Sequence, residues 1–484
     1  MNFISLSFLA FFLLFVVAYY LFPAKSRYAV IFAGSYLFYG WAQPSFLATL
    51  ILITVWTYCG GLVLERKNSK VYYTLFFAGC VAILGLYKYS AFVLQSLNTI
   101  GEYFGRNAMR IPEYLVPVGL SFYIFQACTY LGDVHHGRLA AEHNVICYAA
   151  FVSFFPSILS GPIQKARDLL PQLREQKAFS SESAIIGFLR LMWGIFEKVC
   201  IADQLSGILN GLVIEEADPW KASWYLLSAV VFSVYIYADF SGYSDMAIGI
   251  AEILGICLKR NFNNPYLSIT LAEFWERWHV SLNEWLVEYV YIPLGGNRKG
   301  RVRKYMNVMV VFLISGLWHG AYWHYVIWGV LNGALMILGQ LTGPVRHEVY
   351  RRCGINEQTA SVRCWKRGIV FALITGTWMF FRNGVGTAAG MIMTIVSSPP
   401  MAYCNPNIWN VCGTVSKTVI VMGLTVLFLM LQCQRNKRGR LVERFRGQPM
   451  FFQYLCIGGM LTVCLFIGAW NSTAVNTEFL YFQF

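Results

Sequence analysis

VMVVFLISGLWHGAYWHYVIWGVLNGALMIL, from Val308 to Leu338, decides what kind of molecule this is. It contains no Asp, Glu, Lys or Arg. A helix needs about 20 apolar residues to cross a bilayer, so the run is long enough for two segments or a re-entrant pair. Inside it stands His319, between Gly316 and Gly320. An imidazole among hydrocarbon is costly unless it meets a hydrogen-bond partner or faces a cavity inside the protein. The two glycines, four residues apart, share a helix face and let backbone or substrate come close there. A packed structural histidine and a catalytic one both fit this pattern.

Apolar stretches of similar kind recur along the chain. They fall at 3–22, 28–42, 45–64, 73–98, 113–132, 145–161, 183–205, 221–257, 368–398, 415–432 and 451–470, in addition to 306–340. Composition agrees: 57% of the 484 residues are hydrophobic and 13% charged, with a mean hydropathy of +0.51. About 25% charged residues is usual for a soluble domain, so this chain lacks the charge to face water all round. The reading is an all-α polytopic membrane protein. The first stretch has no basic lead or small-residue cleavage site, which makes it a retained span rather than a signal peptide.

The net charge of +14 does not indicate nucleic acid. The basic residues stand in short clusters between apolar stretches, at 66–70, 164–177, 298–304, 346–367 and 435–446, as cytoplasmic loops require. This count puts both termini outside and delivers residues 471–484 to the outer face. Its weak point is 368–398, which must cross an odd number of times although Arg382 interrupts it. The 13 cysteines form no CxxC pair and read as small buried hydrophobes.

Three further stretches carry polar groups that a plain span would not tolerate. Trp275, Trp278, His279 and Leu282 recur at helical spacing, placing His279 on an aromatic face while Glu276 and Arg277 turn toward water or headgroups. Pro293, Gly295 and Gly296 then break the helix and suggest a re-entrant or interfacial element. In Tyr235–Asp245, Asp239 and Tyr243 share a helix face, fitting a structural hydrogen-bond network slightly better than a catalytic role. Ser160-Gly161-Pro162-Ile163-Gln164 ends a span before a basic loop. His319 and His324 are five residues apart, about 140° around a helix, which argues against a metal pair.

Taken together, several segments resemble the membrane-bound O-acyltransferase family in its alginate and peptidoglycan O-acetylation branch. They are Pro117–Tyr123, Gly161–Ile163, Asp239–Gly249, Arg260–Asn263, Phe274–His279, Tyr291–Arg298 and Gly316–Gly320. The resemblance runs in order over nearly the whole chain. It implies a ring of about eleven transmembrane helices with re-entrant or interfacial elements, and a funnel from each side meeting at a histidine. It places the family's invariant histidine at His319 and its second polar position at His279. Trp318, Asp239, Tyr243, Asp245, Trp278 and Asn283 are the residues expected to line the funnel. Glu276 departs from the branch, which carries a basic residue there.

Residues 1–470 would then form the acyltransferase domain and 471–484 an extracytoplasmic tail. The ending Phe479-Leu480-Tyr481-Phe482-Gln483-Phe484 is similar to the branch's terminal motif, whose tyrosine passes the acyl group to an extracytoplasmic partner transferase of the SGNH type. The resemblance implies the bacterial cytoplasmic (inner) membrane, acetyl-CoA or another acyl thioester as donor, and no permanently bound cofactor. It implies no nucleic acid and, as partners, membrane lipid and the outer transferase. A neutral imidazole at His319 suits the general base for a hydroxyl nucleophile. A D-alanyl transferase of the same family, a transporter and an inactive docking scaffold are the rivals; a transporter would show paired broken helices in inverted repeats, which this sequence lacks.

Overall fold

The computed structural model describes residues 2–111, 115–175, 178–212, 214–215, 217–433, 445, 447–470 and 479. Every regular element among them is a helix. Six are long and apolar enough to cross a membrane: Pro44–Arg66, Lys70–Tyr103, Lys221–Ile253, Trp323–Arg352, Val415–Gln432 and Met450–Gly468. Leu6–Leu21, Val145–Ile158 and Val385–Ser397 are shorter apolar helices. This is a multi-pass membrane protein. The basic cluster after 434 and Tyr481 lie outside the described residues.

The chain divides into two compact units. The first runs up to Trp193 and adds Tyr243–Arg260. It contains α1 (Leu6–Leu21), α2 (Arg27–Ala42), α3 (Leu47–Arg66), α4 (Lys70–Leu84), α5 (Ser90–Tyr103), α6 (Leu120–His135), α7 (Val145–Val152), α8 (Phe155–Ile158), α9 (Ala166–Arg174) and most of α10 (Ser181–Phe196). Phe8, Phe11, Phe15 and Phe38 gather around Phe155. Tyr148 Oη donates to Thr57 Oγ1 at 2.7 Å, tying α7 to α3.

Two expected spans are shorter than their apolar runs. Within the run 113–132 the described residues, from 115 on, become helical only at Leu120. The run 145–161 breaks after Val152 because Pro156 has no N–H to continue the ladder; Ser35 Oγ accepts from the Phe155 N–H at 3.1 Å instead. The stretch Ser160–Gln164 is buried and irregular rather than the start of an exposed loop. Side chains of α6 satisfy backbone N–H groups at its end and just beyond, as an apolar interior demands. Gln126 Oε1 accepts from Gln164 N at 3.3 Å and Thr129 Oγ1 from Ala166 N at 3.0 Å. Asp133, fully buried, holds Arg167 at 2.6 Å.

The second unit comprises Gly194–Gly242 and the chain from Asn261 onward. It holds α11 (Asp203–Gly211), the first two thirds of α12 (Lys221–Ile253), then α13 (Leu271–Arg277), α14 (Val280–Leu286), α15 (Arg301–His319) and α16 (Trp323–Arg352). After these come α17 (Ala360–Arg382), α18 (Val385–Ser397), α19 (Val415–Cys433) and α20 (Met450–Trp470). The deciding run 308–338 is two helices, α15 and α16, folded as an antiparallel hairpin at Gly320–Tyr322. Missing side chains set its closeness. A Cβ on Gly316 would stand 2.3 Å from the Tyr325 carbonyl oxygen, and one on Gly329 2.4 Å from that of Phe312. Lipid tails give helices no hydrophobic reason to associate, so such backbone contact carries the pairing.

The run 368–398 is also two helices. Arg382 ends α17, and its guanidinium is satisfied by Ser228 Oγ at 2.9 Å and the Leu209 carbonyl at 3.2 Å.

Candidate active site

The helix expected through Phe274–Leu282 is interrupted at its centre. α13 stops at Arg277 and α14 starts at Val280, because His279 takes a left-handed backbone at φ 44° and ψ 52°. A non-glycine residue there costs of the order of 1–2 kcal/mol. Asn261 holds the break. Its carbonyl accepts from Val280 N at 2.9 Å, its Oδ1 accepts from Ser281 Oγ at 2.6 Å, and Asn263 N donates to the Arg277 carbonyl at 3.0 Å. The irregular turn thus aims the imidazole inward, where a continuous helix would have carried it along an interfacial face.

His319 arrives from another direction, as the last residue of α15. Gly320 ends that helix in extended backbone, and a Cβ on it would strike the Tyr325 ring at 2.2 Å. The small face around His319 is therefore filled by α16 itself, by the Tyr325 backbone at Gly316 and the Tyr325 ring at Gly320.

His279 and His319 are 3% and 4% exposed, yet both line one cavity of about 370 Å³, within the ordinary range for a ligand site. Trp278 and Asn283 line it too. Trp318 bridges the imidazoles: its ring lies 5.6 Å from that of His279 and 5.1 Å from that of His319. Phe240 meets His279 edge-on at 4.6 Å, and Trp328 and Phe381 meet His319 at 5.3 and 5.1 Å. Burial pushes the His279 imidazole, which lies outside the spanning helices, well below its ordinary pKa.

Other expected residues lie apart from this cavity's lining. Asp239 joins a buried ion cluster described below; Tyr243 stacks on Phe3 with centroids 4.9 Å apart, and Asp245 is 1% exposed. Glu276, assigned above to water or headgroups, is exposed and also lines the cavity. His324 donates from Nδ1 to the Phe380 carbonyl at 3.1 Å. Tyr481 lies outside the described residues. Reading the sequence passed over Gln340 on the cavity wall, the anchoring role of Asn261, and Lys198. The last was findable, since Glu197 and Lys198 interrupt an otherwise apolar run.

Lys198 is enclosed completely. Its Nζ lies 2.9 Å from Asp203 Oδ1 and 2.8 Å from Asp239 Oδ1, inside a π-helical turn, Glu197–Ala202, that joins α10 to α11. Next to it Gln432 Nε2 donates to Glu197 Oε1 at 2.6 Å.

The arrangement offers two imidazoles and an apolar, aromatic-walled space, parts that transfer of an acyl group to a hydroxyl can use. Comparison with known proteins agrees. The probable alginate O-acetylase AlgI of Pseudomonas putida is 34% identical over 432 residues, 88% of this chain and 86% of that protein. The peptidoglycan O-acetyltransferase of Helicobacter pylori is 30% identical over 83% of this chain and 79% of its own. The teichoic acid D-alanyltransferase of Bacillus subtilis is 30% identical over 45% of this chain and 58% of its own. The model of the membrane-bound O-acyltransferase family matches residues 135–381, a stretch that contains both cavity histidines. The chain is thus an O-acyltransferase and belongs to the membrane-bound O-acyltransferase family.

Proposed function

We propose that this protein moves acetyl groups from a cytoplasmic thioester, acetyl-CoA, across the membrane for O-acetylation of an envelope or secreted polysaccharide, peptidoglycan or an exopolysaccharide such as alginate. The observation that carries this reading is the pair of buried imidazoles on one cavity, His279 and His319. Similarity to polymer acetylases over more than four fifths of the chain favours acetyl over D-alanyl transfer, since the D-alanyl relative matches less than half of it.

In this mechanism Tyr481 is the first acceptor. Its hydroxyl attacks the thioester carbonyl carbon while His319 takes the phenolic proton. The C–S bond then breaks, and the thiol leaves with the proton that His319 returns. His279 orients the acceptor or polarises the carbonyl. The aryl ester so formed has a better leaving group than an alkyl ester and passes its acetyl to an outer transferase of the SGNH type, which selects the polymer. The reading goes with about eleven crossings in a ring, a two-sided funnel, a bacterial inner membrane and an outer face for residues 471–484. Tyr481 lies eleven positions after Trp470, about 35 Å if extended, enough for the tail to fold back.

Tyr481→Phe tests it, because only the hydroxyl is lost. The variant inserts and binds donor, but polymer acetylation falls to background and no acetyl appears on the terminal peptide by mass spectrometry. Undiminished acetylation by the variant would reduce the tail to an anchor.

A further inference from the structure

We propose that the Lys198–Asp203–Asp239 cluster is a docking site for the chain's own C-terminal aromatic segment, with the Phe479 ring as the docked group. Phe479 is 1% exposed, and its ring centroid lies 4.4 Å from Lys198 Nζ. α20 ends nine positions earlier, at Trp470, and the ring stands beside Lys198 in the second unit. A membrane-surface anchor would leave the ring toward headgroups; here it is enclosed by protein and faces a buried cation.

The chemistry of the cluster explains why an aromatic ring fits. An ammonium has three N–H donors. Asp203 and Asp239 take two directions, at 2.9 and 2.8 Å, and the electron-rich face of Phe479 covers a third. A third carboxylate would add charge to a group that already holds two anions around one cation, and an aliphatic side chain would cover the ammonium without attracting it. The cation–π attraction is strongest for a desolvated cation, and the Lys198 side chain is 0% exposed. Lys198 also belongs to a π-helical turn, a local deviation often found where a helix serves a function.

The purpose of the docking rests on the relay reading, although the docking does not. Tyr481 is two residues beyond Phe479, so a docked ring keeps the two Cα atoms within about 7 Å of each other. Lys198 is then a positioning residue for the acyl-carrying end of the chain, acting without contact with substrate.

Two measurements on the full-length protein test the docking without any acetylation assay. With Phe479→p-benzoylphenylalanine, photo-crosslinking followed by mass spectrometry should map adducts to the 197–203 segment; adducts only elsewhere overturn the site. The second uses Gln483→Cys on a cysteine-free background and follows maleimide labelling. Phe479→Leu should raise the labelling rate about tenfold, as expected for loss of a buried cation–π contact, while Phe479→Trp keeps it low. Adding Lys198→Met to Phe479→Leu should raise it no further. Equal rates for Phe479 and Phe479→Leu, or fully additive effects of the two substitutions, overturn the role of the cation. Phe479→Leu alters no ion pair, so it remains informative if Lys198→Met does not fold. Docking without acetylation would count against the relay alone.

Discussion

The second unit holds two polar groups of side chains deep among apolar ones, and they are built in opposite ways. Around Lys198 the ammonium meets two carboxylates at hydrogen-bond distance, and the Phe479 ring covers it. Around His279 and His319 the neighbours are ring edges and faces, and an open volume of about 370 Å³ stands between the walls. A full charge in low dielectric must be countered on the spot, and at Lys198 the groups that counter it belong to the chain itself. A neutral imidazole costs far less to bury and can keep its nitrogen for a substrate. The contrast predicts that the charged cluster serves the chain's own packing and docking, and that the cavity imidazoles serve the chemistry.

The largest effect expected from this contrast is on rate. His319→Ala should lower acetyl transfer by about 10²–10⁴-fold, the usual worth of a general base, with an unchanged unfolding midpoint in detergent. A well-folded variant with wild-type turnover would remove the histidine from the chemistry. Lys198→Met should do the reverse in kind. It leaves the buried Asp239 and the partly exposed Asp203 without their cation and costs about 3–5 kcal/mol of stability, read from denaturant unfolding of the purified protein. A variant as stable as wild type would erase the distinction between the two regions. The smallest effect separates backbone from side chain at His279. Both His279→Ala and His279→Gly lose the imidazole and activity, but glycine tolerates φ 44°. The glycine variant should be about 1 kcal/mol more stable than the alanine variant, and the opposite order would show that the left-handed turn stores no strain.

Much of this was legible in the sequence because a membrane makes polar residues conspicuous. His319 and His279 stood out against apolar surroundings, and both line the cavity with Trp278 and Asn283. What one-dimensional spacing hid were breaks imposed by distant partners. The periodicity of Trp275, Trp278 and Leu282 reads as one helix, and only Asn261, far back in the chain, shows why it stops at His279. Likewise Gly316 and Gly320 announced a close approach without saying by what, and α16 turned out to occupy that face. Asp239 was noticed, but its partner Lys198 lies 41 positions away, beyond any helical repeat.

The π-helical turn at Glu197–Ala202 makes the ion cluster a matter of phase. Each residue advances a helix by about 100°, and a π turn accommodates one residue more than an α-helical path would. Shortening this stretch by a single residue would keep every charged side chain in the chain, yet swing Lys198 roughly a quarter-turn away from Asp239. The cluster is therefore far more vulnerable to a one-codon deletion than to most exchanges of one residue for another, and such deletions should be the rarest lesions this part of the chain survives.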